Sequence, residues 1–263
     1  MRLYVTEINE AAKKEQSMSF DPNRTVREFT IEIPNAARVF QKLKLDYCCG
    51  GNKPLNEACD AAGLQVDEVL QLLSQAESTG TVPEAGNPQS LPLKELADYI
   101  VHKHHVFTRE ELNRLTALLD KVCDAHGANH PELYEIRSEF QMLRADLEPH
   151  MLKEERILFP YIALLESAVV EHHPAPFAPF STVQNPATAM MREHDSAGEI
   201  LKNIRNLTSD FATPHDACVS YKTLYKALAE LEADLHQHIH LENNILFPRA
   251  VEIENECNIG VTA

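Results

Sequence analysis

Hydrophobic positions recur every three or four residues along most of the chain, which is the period of a helix with one buried face. No stretch alternates strongly enough between apolar and polar residues to predict a strand. The longest periodic segments lie at 93 to about 124, 132 to about 170, about 186 to 207, and about 216 to 251. Asn185 before Pro186 predicts an N-cap for the third segment. The expected fold is therefore all-α, with a four-helix bundle as its larger part.

Shorter helical segments precede the bundle. Ala36–Leu43, Leu55–Ala62 and Val66–Leu73 each predict a short helix, and Gly63 predicts the end of the second. Prolines and glycines then mark a linker. The predicted organisation is a polar arm at 1–24, a small helical domain at 25–78, a linker at 79–92, the bundle at 93–252 and a tail at 253–263.

The charge balance excludes several classes of partner. The chain has 40 acidic and 24 basic residues and a formal net charge of −16, whereas nucleic acids and anionic membrane surfaces attract basic proteins. No apolar stretch approaches the roughly 18–20 residues that cross a bilayer. Residues 1–20 lack the apolar segment of a signal peptide. We therefore expect a cytoplasmic protein without nucleic-acid or membrane partners.

One motif occurs twice in the bundle. The pattern His-x-x-x-Glu-x-x-Ile-Leu-Phe-Pro is present at 150–160 and at 238–248, and in each copy the His and Glu share one helix face. A single His-Glu pair at this spacing is common on solvated faces. Two copies followed by the same apolar residues predict instead that two helices present their ligands to a shared metal site. The neighbouring Glu155, His236 and His240 are expected to contact solvent or the outer side of this site.

The other two bundle helices also carry candidate ligands. His194 is the one histidine of the third segment, and the first offers His102, His104 and His105. Carboxylates can bridge two cations while imidazoles cap each one, and this mixture of nitrogen and oxygen donors suits iron or manganese. Zinc more often takes three or four ligands at one ion. His105 or His126 could add a further imidazole.

Two adjacent cysteines stand in the segment Asp46-Tyr47-Cys48-Cys49-Gly50-Gly51. Their spacing is not that of a zinc knuckle, and a disulfide between neighbours would be strained. The two glycines permit a tight turn that exposes the thiols, whereas Asp46 offers them no activation. The residues alone leave a reactive thiol pair and a structural turn equally open.

Residues 92–252 resemble hemerythrin-like domains, and residues 25–252 together resemble the iron–sulfur cluster repair di-iron proteins, the repair of iron centres family. Members combine a short N-terminal domain carrying the Asp-Tyr-Cys-Cys-Gly-Gly motif with a hemerythrin-like bundle. The resemblance depends on that motif and on three others: His150-Met151-Leu152-Lys153-Glu154-Glu155, Glu193-His194-Asp195-Ser196-Ala197-Gly198 and His238-Ile239-His240-Leu241-Glu242-Asn243-Asn244.

The resemblance implies a set of site residues and a cofactor. The implied metal ligands are His104, His150, Glu154, His194, His238 and Glu242. Glu154 and Glu242 would bridge two non-haem iron ions, with or without an oxo bridge, while His102 and His105 compete with His104. Cys48 and Cys49 would be a working pair that handles nitric oxide, iron or a redox equivalent.

The implied function is a stress response. The protein would repair iron–sulfur clusters damaged by nitrosative or oxidative stress by supplying iron, with damaged iron–sulfur proteins as transient partners and NO or O₂ as small ligands. The alternatives are a di-iron nitric oxide reductase and a non-catalytic protein that binds or senses NO or O₂. All three need the same ligands, so the sequence leaves open whether the protein is an enzyme. It also leaves open a homodimer.

Overall fold

The computed structural model describes residues 20–33, 35–79 and 88–259. Within these residues the protein consists of helices without a strand, so the all-α prediction is confirmed. The chain divides into two compact units, one formed by Met1–Leu45 and Asn52–Gly80, the other by Asp46–Gly51 and Thr81–Ala263. Most of the polar arm predicted at 1–24, most of the linker predicted at 79–92 and the end of the predicted tail lie outside the described residues.

In its described residues, the smaller unit contains four short helices: α1 (Val26–Glu32), α2 (Ala36–Leu43), α3 (Leu55–Ala62) and α4 (Val66–Thr79). The hydrophobic pattern did not single out α1, which begins at a capping box. Thr25 Oγ1 accepts a hydrogen bond from the Glu28 backbone N–H, and the Glu28 carboxylate accepts one from the Thr25 N–H. Helix α3 ends at Gly63, whose φ of 68° is the left-handed conformation that glycine favours, as predicted.

The larger unit is the predicted bundle of four long helices. The first comprises α5 (Leu93–Ile100) and α6 (Val106–His126), the second α7 (Glu132–Lys153) and α8 (Phe159–Val170), the third α9 (Gln184–Leu207), and the fourth α10 (Val219–Leu241) and α11 (Phe247–Ile259). A five-residue π-helical turn joins the two parts of the first, second and fourth helices: Val101–His105, Glu154–Leu158 and Glu242–Leu246. None of the described helices combines the length and apolar character needed to cross a membrane.

Two apolar clusters fill the interior of the bundle. One lies among α6, α7, α9 and α10 and includes Leu115 and Phe140. The other lies among α5, α8, α11 and the beginning of α9 and includes Leu96 and Ile162. Burying each such side chain stabilises the fold by roughly 1.5–3 kcal/mol. On every bundle helix the candidate ligands stand between the two clusters, so a polar layer is enclosed by apolar packing on both sides.

The third bundle helix begins before its predicted N-cap. Its first residue is Gln184, and Asn185 lies inside the helix, where its amide donates a hydrogen bond to the Phe180 carbonyl at 2.9 Å. The predicted capping role of Asn185 is therefore wrong. The Val183 N–H is instead satisfied by the Glu254 carboxylate, at 2.9 and 3.0 Å. Glu254 comes from the fourth helix, so no local pattern indicates this partner, although Thr182 Oγ1 also accepts a hydrogen bond from the Gln184 N–H at 3.3 Å.

Candidate metal centre

The polar layer contains six buried side chains of ligand type. They form two overlapping groups, each with two imidazoles and the same two carboxylates: His105, His238, Glu154 and Glu242, and His150, His194, Glu154 and Glu242. Within each group, one ligand atom from every residue lies within 4.8 Å of all the others. None of the six residues is more than 2% exposed. We call His105 and His238 the first pair, and His150 and His194 the second pair.

Each of the two glutamates turns one oxygen toward each histidine pair. Glu154 Oε2 lies 3.4 Å from an Nε2 atom of the first pair, and Glu154 Oε1 lies 3.2 Å from one of the second pair. Glu242 Oε1 lies 2.8 Å from an Nε2 atom of the first pair, and Glu242 Oε2 lies 3.2 Å from one of the second pair. Both carboxylates are therefore placed to bridge two ions.

The atoms that face one another fit metal ions better than hydrogen bonds. The two Nε2 atoms are 3.1 Å apart in the first pair and 3.0 Å apart in the second. Two nitrogens bound at about 2.1 Å to one ion and at right angles would be about 3 Å apart. Among the described residues, neither oxygen of Glu154, nor Oε2 of Glu242, has a hydrogen bond of normal geometry. Because buried oxygens without partners are costly, two bound cations would stabilise this layer.

The first π-helical turn determines which histidine of the first bundle helix enters the layer. A π-helical turn adds one residue to the helix and shifts the register by one. Helical spacing forward from the buried positions of α5 leads to His104, whereas spacing back from those of α6 leads to His105. The structure places His105 in the first pair. His104 is also buried, but it belongs to neither group, and its Nδ1 lies 3.0 Å from both carboxylate oxygens of Asp234. The geometry thus favours His105 over the His104 that the resemblance implied.

Two other candidate histidines lie outside the layer. His102 is exposed, and its Nδ1 contacts the Asp98 carbonyl oxygen at 2.7 Å. His126 is the last residue of α6, roughly 30 Å from His105 at 1.5 Å per residue. It packs against Tyr221 instead, with ring centroids 5.3 Å apart. Neither histidine therefore supplies a further ligand in this arrangement.

The other two π-helical turns each begin with a bridging glutamate and end just before a phenylalanine. Phe159 follows the turn that begins with Glu154, and its ring stacks on His105 of the first bundle helix with centroids 5.8 Å apart. Phe247 follows the turn that begins with Glu242 and stacks on His194 at 6.3 Å. The repeated Leu-Phe-Pro sequence thus covers a histidine of a neighbouring helix, which helps to exclude water from the layer.

The outward-facing nitrogen of two ligand histidines contacts a carboxylate. His105 Nδ1 lies 2.7 Å from Glu155 Oε1, and His150 Nδ1 lies 2.8 Å from Glu193 Oε2. Arg109 in turn donates to Glu155 at 2.8 Å. A hydrogen bond from Nδ1 directs the Nε2 lone pair inward and makes the imidazole a stronger metal ligand. Of the two carboxylates, Glu155 was expected to be an outer partner or solvent-exposed, and Glu193 was not predicted.

The other two histidines differ in their outer partner. His194 donates from Nδ1 to the side-chain oxygen of Asn243 at 2.8 Å. His238 Nδ1 has no hydrogen-bond partner among the described residues. Asn243 directly follows the ligand Glu242, but the sequence did not reveal its role, because its imidazole partner comes from a different helix.

When no metal is bound, the charges around the layer favour an additional proton on each of two imidazoles, those of His105 and His150. Burial lowers the pKa of His105, but the nearby Glu154 and Glu242 carboxylates outweigh it and raise the pKa to about 10. Burial also lowers the pKa of His150, and attraction to Glu154 outweighs it and raises the pKa to about 9. Burial and repulsion from Glu242 raise the pKa of Glu154, but attraction to His150 and the close contacts with both histidines bring it to about 2. Metal ions must therefore displace protons from the two imidazoles.

These shifts predict how the stability of the metal-free protein depends on pH. For His105 and His150, the stabilisation is complete below the unfolded pKa of 6.5 and is lost as pH rises through about 9 and about 10. For Glu154 it is complete above 4.5 and is lost as pH falls toward about 2. Burial lowers the pKa of His236 and His238, so these two groups take stability away as pH falls below 6.5. We expect thermal melts of chelator-treated protein to show maximal stability near pH 6.5. A melting temperature that rises from about pH 7 to 9 without metal would contradict this.

The segment Asp46–Gly51, which we call the cysteine loop, is held by Asp46. The Asp46 Oδ1 atom accepts hydrogen bonds from the backbone N–H groups of Cys48 at 3.1 Å and Cys49 at 2.9 Å. The two sulfurs are 3.9 Å apart and both thiols are free. Hydrogen bonding to Cys49, together with burial, raises the pKa of Cys48, so this thiol stays protonated. These two cysteines and Asp46 also form a third cluster of metal-ligand type.

The cysteine loop packs against the fourth bundle helix. The buried Tyr47 ring lies edge-on to His240, with centroids 5.6 Å apart, and near His236 at 6.3 Å. Asn244 donates from Nδ2 to the Tyr47 carbonyl at 3.0 Å and contacts His240 Nδ1 at 2.9 Å. His236 and His240 therefore support the loop and are not ligands of either group. Burial lowers the pKa of His236, so it stays neutral near pH 7.

Two family models match the chain in succession. Residues 22–77 match ScdA_N, described as a domain of unknown function, DUF542. Residues 96–250 match the hemerythrin HHE cation binding domain, and this segment contains all six residues of the polar layer. A cation-binding domain agrees with the donor set and the partnerless carboxylate oxygens. The prediction of a hemerythrin-like bundle that binds non-haem iron is confirmed at the level of the domain, and the buried His and Glu groups could hold the metal.

The chain aligns with several curated relatives over nearly the whole length of each relative. The iron–sulfur cluster repair protein YtfE of Musicola paradisiaca is 35% identical over 231 residues, which is 88% of this chain and 97% of the relative. YtfE of Escherichia coli O81 is 37% identical over 225 residues, 85% of this chain and 94% of the relative. A probable iron–sulfur cluster repair protein of Haemophilus influenzae is 33% identical over 234 residues, which is 89% of this chain and 99% of the relative. This chain therefore belongs to the iron–sulfur cluster repair protein family.

Proposed function

We propose that this protein repairs iron–sulfur clusters damaged by nitrosative or oxidative stress, and that it does so by supplying iron from the polar layer. The observation that carries the proposal is the pair of buried His₂Glu₂ groups with two shared carboxylates. They occur in a chain that aligns with iron–sulfur cluster repair proteins over most of its length. Damaged iron–sulfur proteins are the transient partners, the cytoplasm is the expected location, and NO or O₂ are the small ligands.

The donor set suits an ion that is held and later released. Each position offers two imidazole nitrogens and two carboxylate oxygens and no thiolate. Ferrous iron stands near the weak end of the affinity order of divalent metals at such a site. Bound iron would supply Lewis acidity and one-electron redox chemistry. Iron held by these residues would also be able to bind a small ligand such as NO, O₂ or water.

The protein's own residues control retention and release through protons. Glu155 and Glu193 orient the imidazoles of His105 and His150 from outside, and both carboxylates are partly exposed. They provide a route by which protons pass between solvent and the imidazoles. Because the pKa values of His105 and His150 are about 10 and about 9 without metal, both rings take up a proton when the ion departs. Mild acid is therefore expected to favour iron release.

An isotope-transfer experiment tests iron supply. The protein is loaded with ⁵⁷Fe and mixed anaerobically with an iron–sulfur protein whose cluster has been damaged with nitric oxide. We expect ⁵⁷Fe to appear in the rebuilt cluster by Mössbauer spectroscopy while the donor loses iron. Cys48→Ala/Cys49→Ala should keep its iron but transfer it more slowly if the cysteine loop takes part. A cluster that recovers only with iron from the buffer would contradict the proposal.

The same preparation separates the two other candidate functions. A nitric oxide reductase would produce nitrous oxide catalytically with an electron donor and would retain its iron. A sensor or storage protein would bind NO or O₂ reversibly and in proportion to its iron, without turnover. The same His and Glu groups would serve both functions, but neither outcome moves iron into a client protein.

A further inference from the structure

Asn243 contacts both the metal centre and the cysteine loop. Its side-chain oxygen accepts a hydrogen bond from His194 Nδ1 at 2.8 Å, and its side-chain nitrogen donates to the Cys48 carbonyl at 3.3 Å. The Cys48 carbonyl can only accept a hydrogen bond, which fixes the orientation of the amide. The Asn243 oxygen must then face the imidazole, so His194 donates from Nδ1 and its Nε2 lone pair points into the polar layer.

The third bundle helix brings the same two features together. Gly198 stands one helical turn after His194, on the same face of α9. A Cβ atom at Gly198 would lie 3.8 Å from Cys49 Sγ, so the second cysteine packs directly on this turn. The cysteine loop is thus in contact with the helix that carries His194 and is hydrogen-bonded to the outer partner of His194.

We propose that Asn243 is a positioning residue that couples His194 to the cysteine loop, so that metal binding and access to Cys48 and Cys49 depend on each other. This inference rests on the proposed binding of metal by His194. An ion at Nε2 fixes the imidazole ring and therefore the direction of its Nδ1–H bond. Asn243 follows that direction and holds the Cys48 carbonyl with its other end. By linkage, a loop that is held in place must strengthen metal binding by the same factor.

Asn243 differs from every other outer partner in the layer. Glu155 and Glu193 can only accept hydrogen bonds, and each holds a histidine without a contact to the cysteine loop. Asn244 donates to the Tyr47 carbonyl but contacts His240, which belongs to neither ligand group. The adjacent asparagines thus hold the same loop, and Asn243 alone of the two also contacts a ligand. This makes Asn244 a matched control.

Two substitutions of Asn243 separate its hydrogen bond to His194 from its hydrogen bond to Cys48. Asn243→Asp keeps an oxygen that accepts from His194, but it replaces the donor to Cys48 with a second oxygen that repels the carbonyl. Asn243→Ala removes both hydrogen bonds. Asn244→Ala loosens the loop at Tyr47 and leaves the His194 contact unchanged. All variants carry Cys218→Ser. Cys218 is exposed, and hydrogen bonds from the Tyr221 backbone and His126 lower its pKa to about 7. This thiol would therefore react before the cysteine loop.

The experiment measures the alkylation rate of the cysteine loop with and without iron. The full chain, prepared anaerobically with and without ferrous iron, is treated with iodoacetamide, and the peptide containing Cys48 and Cys49 is quantified by mass spectrometry. We expect iron to slow alkylation about tenfold in the Cys218→Ser parent and in Asn244→Ala, within the usual range of coupling between sites. The slowing should fall below about twofold in both Asn243 variants.

Loss of iron to a chelator gives the second readout. Asn243→Ala should release iron about tenfold faster, as is usual when an outer partner of a ligand is removed. Asn243→Asp keeps the oxygen that accepts from His194, so it should release iron more slowly than Asn243→Ala, although its loop is no longer protected. Protection that persists in Asn243→Asp would overturn the inference, because the protection would then not depend on the hydrogen bond from Asn243 to the Cys48 carbonyl. A parent that binds two irons without any protection would also overturn it, and a parent that binds no metal would overturn the proposed function itself.

Discussion

Replacing Glu242 with leucine is expected to reduce the bound iron from two ions per chain to less than one. Glu242 belongs to both groups, so its loss would remove a ligand from both positions. Leucine fills a similar volume, so the apolar packing around the layer should survive. Glu154→Leu should behave in the same way, because both of its oxygens face the histidine pairs. Metal analysis and the visible spectrum of any oxo-bridged centre measure the effect.

A buried glutamate outside the layer provides the control for the loss of Glu242. Glu232 lies in the same helix, is also buried, and forms an ion pair with Arg205. Glu232→Leu breaks that pair and should lower the free energy of unfolding by roughly 1–3 kcal/mol, because Arg205 is partly exposed and keeps its ion pair with Asp210. It should nevertheless retain two irons. If Glu154→Leu and Glu242→Leu each keep two irons, the polar layer is not the metal centre.

The ligand-bearing helices were predictable because their pattern is local. Two His-x-x-x-Glu repeats indicate paired ligands from helical spacing alone, and the structure brings His150, Glu154, His238 and Glu242 into one layer. Helix α1 was missed since its hydrophobic pattern spans only two turns, although the Thr25–Glu28 capping box was a signal that could have identified it.

The π-helical turns were not predictable, and they change what the pattern means. The extra residue in Glu154–Leu158 follows the His-x-x-x-Glu spacing and leaves it unaltered, so nothing in the motif reveals it. In the first bundle helix the same insertion shifts the register by one residue, so that His105 faces the polar layer in place of His104. Such turns depend on tertiary contacts, and a period read from the sequence assumes a regular helix.

The side chains that contact the outward-facing nitrogens of the ligand histidines were missed for a related reason. His150 finds Glu193, and His194 finds Asn243, on helices other than their own. Neither pair has a fixed spacing along the chain, so only the packing of the bundle brings them together. The hemerythrin-like resemblance implied six ligands, but it implied nothing about the side chains that orient them.

The register shift in the first bundle helix leads to the second large prediction. His105→Gln is expected to lose the ion of the first pair and to reduce iron from two ions per chain to about one or fewer, because its Nε2 faces Glu154, Glu242 and His238. His104→Gln is expected to retain both ions. Its imidazole stacks on His238 with ring centroids 5.6 Å apart and is held at Nδ1 by Asp234, so it supports the layer without entering it.

Glutamine at both positions keeps the comparison fair, since it preserves most of the buried volume and removes the imidazole. Both variants should lose some thermal stability, because both histidines are fully buried, so the melting temperature alone does not distinguish them. Iron content and Mössbauer spectra do, because a chain with one ion lacks the coupling of a bridged pair. If His104→Gln loses iron and His105→Gln keeps it, the first bundle helix has no π-helical turn at Val101–His105 when metal is bound, and its register turns His104 into the layer. The ligand that the resemblance implied would then be the correct one.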